Sequence, residues 1–425
     1  MFCFLFIVAM LIPPLHFVSP LPFGFIQWGP LFIYLFIMAI NGCIRLIHWL
    51  WTSLHNRPEH KPPRFFRRSR AIGKAATHSV LIFILLLPAF AFPPVYKLPE
   101  PTGGYDVQSI HVTLLDSERS DPLTPVVGVA RQVPVDIYYP VDARGNALDG
   151  TFPVVFYSHG AIGSGDSNRS TYEELVSNGY IVCAISHPGH SLLANAEGRM
   201  VFINLSYLND YLVLSNAVDG QFTDQEVYDQ MMVWVNVRVD DINFAINSIK
   251  SMTADAATDP VFRMIDTERI GLMGHSIGGS AMTIVARQRG DITAVVNLEG
   301  PLFSELASYT DGNVSWRSDN FPLPLLNIYS DQLWVPFQVD INTDGGEQAK
   351  QGFKYGANLR YVLNPPANVQ NVYMEGARHL GLTDLPIYTP FFESVLDGEP
   401  QSANPTTSMA AENQIILEFF QNNLA

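Results

Sequence analysis

From about residue 105 onward the hydrophobic positions form short runs whose period changes along the chain. Residues 107–116 (VQSIHVTLLD) and 132–141 (QVPVDIYYPV) are alternating and β-branched, which predicts two strands. The runs FPVVFYSHG, YIVCAISH, RIGLMGHS, ITAVVNLEG, LPLLNIYSD and NVQNVYMEG are continuously apolar and end in turn residues. They predict strands buried on both faces. Helical periodicity lies between and after them, in STYEELVSNG, in the long segment 225–252, in GGSAMTIVARQ and in 410–424. Residues 188–225 read as an irregular loop. Apolar strands alternating with helices predict a mostly parallel sheet covered on both faces, an α/β domain.

The first 97 residues have a different texture. Three apolar stretches, residues 2–18, 31–51 and 79–95, are expected to form transmembrane helices; the alternative for the first is an uncleaved signal-like segment, though it lacks a positive start and a clear small-residue cleavage site. Arg57, Lys61, Arg64, Arg67, Arg68, Arg70 and Lys74 fall between the second and third. By the positive-inside rule that loop is expected in the cytoplasm, so the chain is expected to be a multi-pass protein of the inner membrane. The domain organisation expected is therefore a membrane anchor over 1–97 and a catalytic domain over 98–425, facing the periplasm or exterior.

Charge sharpens this division. Residues 1–97 hold nine of the 25 Lys and Arg and one of the 40 acidic residues, leaving 16 basic and 39 acidic in the remainder, a net −23. Such acidity gives nucleic acid no basic stripe to bind. Three cysteines exclude a disulfide framework, and Cys183, within YIVCAIS, reads as a small core residue.

Candidate chemistry centres on Gly274-His275-Ser276-Ile277-Gly278, a G-x-S-x-G pattern between a predicted strand and a predicted helix. The glycines permit a sharp turn that presents Ser276 at a helix N-terminus, where free N–H groups favour developing negative charge. A base must follow in chain order. Of the six histidines beyond residue 97, His379 stands directly after the last predicted strand, where a general base belongs. His159 lies in a loop whose backbone N–H groups suit an oxyanion hole. His187 and His190 lack a third metal ligand nearby and read as loop residues, and no metal or organic cofactor is expected. Two carboxylates end strands and could orient the imidazole, Glu299 and Asp331, and spacing alone favours Asp331. Asp240, Asp241 and Arg238 read as surface or packing residues of the long helix.

Taken together, QVPVDIYYP, FPVVFYSHGAIGS, RVDDINFAINSI, GLMGHSIGGS, VVNLEGPLF and EGARHLGLTD resemble the plasma-type platelet-activating factor acetylhydrolases and their bacterial, dienelactone hydrolase-like relatives. The resemblance runs from about residue 105 to the end and implies an α/β-hydrolase fold. In that family the acid follows the strand after the nucleophile helix, in a segment like L-D-G. Here the slot reads Leu298-Glu299-Gly300, so the resemblance implies Glu299 as the acid, with Asp331 as the alternative. It also implies an oxyanion hole from the backbone N–H groups of Ala161 and Ile277.

The activity so implied is a serine carboxylic-ester hydrolase working through an acyl-enzyme on short or oxidised acyl esters of phospholipids. Residues 191–225, rich in Leu, Phe and Tyr, suit a cap over an acyl chain or completion of the core. The alternatives are a general esterase, lipase or dienelactone hydrolase-like enzyme, and an inactive hydrolase-fold scaffold. Retention of serine, histidine, acid and elbow glycines together argues against the scaffold. The expected partners are the ester substrate and a lipid bilayer, and the sequence is silent on oligomeric state.

Overall fold

The computed structural model describes residues 21–54, 64–91, 96–123, 128–215, 220–255, 259–310 and 312–424. The chain divides into two compact units. One comprises residues 1–95 with Tyr388–Phe392, and the other comprises Tyr96–Ile387 with Glu393–Ala425.

Two helices dominate the smaller unit, α1 (Leu21–Leu54) and α2 (Arg64–Ala91). Among the described residues no helix is long and apolar enough to cross a membrane. In α1 the unbroken apolar run 31–40 stops at Asn41 and Gly42, with Arg45 and His48 beyond. In α2 the first three turns carry Arg64, Arg67, Arg68, Arg70 and Lys74, and the remaining 75–91 still contains His78 and Pro88. A span needs roughly 20 apolar residues. The expected transmembrane helices over 31–51 and 79–95 are thereby corrected, and the expected multi-pass placement in the inner membrane goes with them. The stretch 2–18 lies outside the described residues.

The larger unit is built on an eight-stranded sheet. Its members are β1 (Asp106–Ser120), β2 (Ala130–Val141), β3 (Phe152–Ser158), β4 (Ile181–Ile185), β7 (Ile265–His275), β8 (Ala294–Leu298), β11 (Leu325–Ser330) and β12 (Val369–Met374). The hairpins β5–β6 (Leu193–Ala196, Arg199–Phe202) and β9–β10 (Leu306–Thr310, Asn313–Trp316) stand apart from it. The spatial order is β1-β2-β4-β3-β7-β8-β11-β12. β2 runs antiparallel to both neighbours, and every pair from β4 to β12 is parallel.

Strand side chains alternate between two cores, as a period of two requires. Val154, Phe156, Ile270 and Leu272 pack on one face with α5 (Asp224–Ala254) and α6 (Ile277–Gln288). Val155, Tyr157, Met273 and Val296 pack on the other with α3 (Arg169–Ser177) and the closing helix α9 (Pro405–Asn423). Cys183 is wholly buried in the first core, and burial raises its thiol pKa.

The described residues within 188–225 form a hairpin and a helix where the sequence reads as an irregular loop. Glu197 (φ 51°) and Gly198 (φ 76°) form the tight turn of the β5–β6 hairpin, a two-residue connection with both φ positive. Asn204 then caps α4 (Leu205–Ser215), its side chain accepting from the N–H groups of Ser206 and Tyr207. Two further helices, α7 (Asp331–Asp344) and α8 (Gly356–Leu363), follow β11.

Candidate active site

The elbow forms because β7 and β8 end together. His275 pairs with Leu298 in the parallel register, so Ser276 and Glu299 are the next residues on adjacent strands. Ser276 takes φ 54° and ψ −125° at the N-cap of α6, and its N–H donates to Leu298 O at 2.8 Å. Gly278 is required there by space: a Cβ on it would lie 2.1 Å from Ser158 O. At the helix start the first-turn N–H groups, including that of Ile277, have no intrahelical acceptor.

Glu299 also has a positive φ, 53°. Asn297 fixes this turn by accepting from Gly300 N–H (3.0 Å) and donating to Gly300 O (2.9 Å). Glu299 is 1% exposed. Its Oε2 lies 2.8 Å from His379 Nδ1, and Ser330 holds the same carboxylate through its N–H (3.1 Å) and hydroxyl (2.8 Å). A carboxylate only accepts, so Nδ1 carries the proton and Nε2 is left as the basic nitrogen. Burial opposes protonation of His379, but the hydrogen bond and charge of Glu299 outweigh it and leave the pKa raised above its ordinary value.

Asp331 is occupied elsewhere. Its carboxylate accepts from Tyr373 Oη (2.7 Å) and Gly376 N–H (2.9 Å), while its own N–H donates to Ala377 O. It thus braces the loop that carries His379. His275 braces the same loop from the other side, its Nε2 donating to His379 O at 3.0 Å. Burial, and then the neighbouring His379, hold the His275 pKa well below its ordinary value.

On the other flank lies the loop after β3. A Cβ on Gly160 would stand 2.7 Å from His275 Nδ1 and 3.6 Å from Ser276 Cβ, which puts this loop against the elbow. Ala161 follows, with its carbonyl accepting from Tyr207 Oη at 2.6 Å.

Several residues around the site escape a reading of the sequence. Arg238 and Asp241 are fully buried, whereas Asp240 is exposed. Of the surface or packing roles expected for these residues, burial leaves packing for Arg238 and Asp241 and the surface for Asp240. Three residues apart on α5, they share one helix face. Asp241 binds Arg131 (2.6 Å), Arg119 (2.6 Å) and His187 Nδ1 (2.9 Å), and His187 Nε2 accepts from Ser158 Oγ at 2.9 Å. Burial keeps His187 neutral, with its pKa lowered to about 4. His190 stacks on Tyr207 with ring centroids 4.0 Å apart. Among the described residues no group of His, Cys, Asp and Glu could hold a metal ion. An asparagine ladder, Asn297–Asn327–Asn371, ties β8, β11 and β12 at 3.0 and 3.2 Å.

Residues 225–305, spanning α5, the elbow and Glu299, match the family model described as PETase, PET hydrolase-like. A probable 1-alkyl-2-acetylglycerophosphocholine esterase from Arthroderma benhamiae is 26% identical over 272 residues. That match covers 51% of this chain and 62% of the relative, less than two thirds of its length. A ferulic acid esterase from Streptomyces cinnamoneus superposes with a TM-score of 0.52 at 19% identity, over 77% of this chain and 93% of that one. The fold is that of an α/β-hydrolase, and the chain resembles esterases of that fold.

Proposed function

We propose that the protein is a serine carboxylic-ester hydrolase in which Ser276 is the nucleophile, His379 the general base and Glu299 the acid that orients it. The contact that carries this reading is His379 Nδ1 to Glu299 Oε2, 2.8 Å, beside a serine held at a strand-to-helix elbow. Ser276 Oγ attacks the ester carbonyl carbon as His379 Nε2 takes its proton. The carbonyl oxygen becomes an oxyanion that accepts from the N–H groups of Ala161 and Ile277, each such donor contributing about 10²–10³ in rate. The C–O bond then breaks, and the alcohol leaves with the proton from His379. Water repeats the sequence on the acyl-enzyme, releasing the acid and restoring Ser276.

For the substrate we favour an ester of a glycerophospholipid bearing a short or oxidised acyl group. The name of the fungal relative supports this choice. The PET hydrolase-like match supports a second reading, an esterase of broader range. Hydrolysis of p-nitrophenyl esters from acetyl to palmitoyl, with Ser276→Ala as control, separates them. A maximum at short chains, together with release of acetate from 1-alkyl-2-acetylglycerophosphocholine, is the expected result. Equal or better turnover of long chains and polymeric esters favours the broader enzyme. Turnover that persists in Ser276→Ala, or none in the parent, overturns the mechanism.

A further inference from the structure

Arg238 is 0% exposed and forms none of the ion pairs among the described residues. Instead its guanidinium faces three consecutive carbonyls. Nη1 donates to His159 O, and Nη2 donates to Gly160 O at 3.0 Å and to Ala161 O at 3.3 Å. Gly160 O also accepts from His159 Nδ1 at 2.7 Å and from Gly163 N–H at 3.2 Å. Ala161 O has Tyr207 Oη as its second donor.

Peptide planarity turns these contacts into a statement about the opposite edge of the loop. In a trans peptide the N–H points away from the C=O of the same unit. The N–H of Ala161 belongs to the unit whose oxygen is Gly160 O. With that oxygen drawn onto Arg238, the Ala161 N–H must point away from the guanidinium. The loop at Gly160 already touches His275 and Ser276. A cation on the carbonyl oxygen also polarises the peptide, making its N–H a stronger donor in a site of low dielectric.

We propose that Arg238 is the positioning residue of the oxyanion hole, holding the 159–161 carbonyls so that the Ala161 N–H meets the oxyanion formed at Ser276. This rests on the hydrolase reading above. Its chemistry differs from that of a residue that merely fills the core. A positioning role acts on the transition state and leaves ground-state substrate binding and His379 untouched.

The test uses the full chain with Arg238→Gln and Arg238→Lys, p-nitrophenyl acetate as substrate, and a trifluoromethyl ketone as a mimic of the oxyanion adduct. Turnover that depends on Ser276 in the parent tests the hydrolase reading first, and its absence overturns both readings. With that turnover present, Arg238→Gln should lower kcat about 10²–10³-fold, the cost of losing one oxyanion donor. KM should stay within about twofold, and the acidic limb of the pH profile should not move. Affinity for the ketone should fall in step with kcat/KM, and Arg238→Lys should fall between. If Arg238→Gln fails to fold, Arg238→Lys decides alone by the same split. Unchanged kcat, or a loss seen in KM with ketone affinity preserved, overturns the role of Arg238 while leaving the triad in place.

Discussion

Ser276 and Glu299 stand side by side at the ends of β7 and β8, and both hold a positive φ, 54° and 53°. For a residue with a Cβ such a backbone costs on the order of 1–3 kcal/mol, and it persists only where the surroundings overdetermine it. Here the register of two parallel strands, the Asn297 bracket and the close-packed glycines of the elbow do so. Ser276→Gly should therefore abolish turnover and yet raise stability by about 1 kcal/mol, read as a higher urea midpoint. Lower stability would show that the serine side chain contributes to the fold.

The two strand-end carboxylates predict opposite phenotypes. Glu299→Gln keeps the shape but loses the charge facing His379, and kcat should fall about 10³–10⁴-fold with little change in stability. Asp331→Asn weakens its hold on Tyr373 and Gly376 and should cost about 1–2 kcal/mol of stability with a modest effect on kcat. Paired kinetics and denaturation of the two variants check this. A collapse of kcat confined to Asp331→Asn would reverse the assignment.

The pH dependence follows from His379. In the proposed mechanism its neutral form is the base, and its pKa is raised, so kcat/KM should fall as pH drops through a value above the ordinary histidine pKa of about 6.5. In Glu299→Gln the burial that disfavours the imidazolium remains while the main raising partner is gone, leaving the weaker pull of Asp397. The acidic limb should then move to lower pH. A limb that stays put would mean that another group sets it.

Asp241 anchors a buried ionic cluster with Arg131, Arg119 and His187. Burial opposes its ionisation, yet Arg131 and the hydrogen bond from His187 outweigh that and leave its carboxyl far below the usual range. Because the folded pKa is depressed, its stabilising contribution is present above the unfolded value of about 3.9 and is lost as pH falls below that. Asp241→Asn leaves the buried Arg131 only the partly exposed Asp121 as an ion-pair partner and should cost about 3–5 kcal/mol at neutral pH. Chemical denaturation at pH 7 measures the loss, and a cost below about 1 kcal/mol would count against a role for the cluster in holding the fold.

The order of strands and helices is legible along the chain because each core-facing strand is a closed apolar run and its alternation feeds two faces of one sheet. The elbow is legible too, since glycines at 274 and 278 answer a steric demand that is local. The hairpin over 193–202 is harder to see, because its turn rests on one glycine and a glutamate with positive φ. The apolar stretches 31–51 and 79–95 mislead for the opposite reason: composition raises their hydropathy, while Asn41, Arg45 and the basic start of α2 interrupt the length that a span needs.

At the site the division is sharper. Ser276, and His379 as the residue after the last strand, follow from local pattern and chain order. The choice between Glu299 and Asp331 does not, because both end apolar strands and differ only in which loop they meet. In the tertiary structure Glu299 faces the His379 imidazole and Asp331 faces Tyr373, and the proposal of Glu299 as the acid rests on that contact. Arg238 and Asp241 are charged residues on a long helix, a pattern ordinarily solvated. Their burial depends on Arg131 from β2 and on the carbonyls of residues 159–161, partners 77 to 110 residues away. Local sequence sets the element and the residue type, whereas the partner that gives a buried charge its role arrives only with the closed fold.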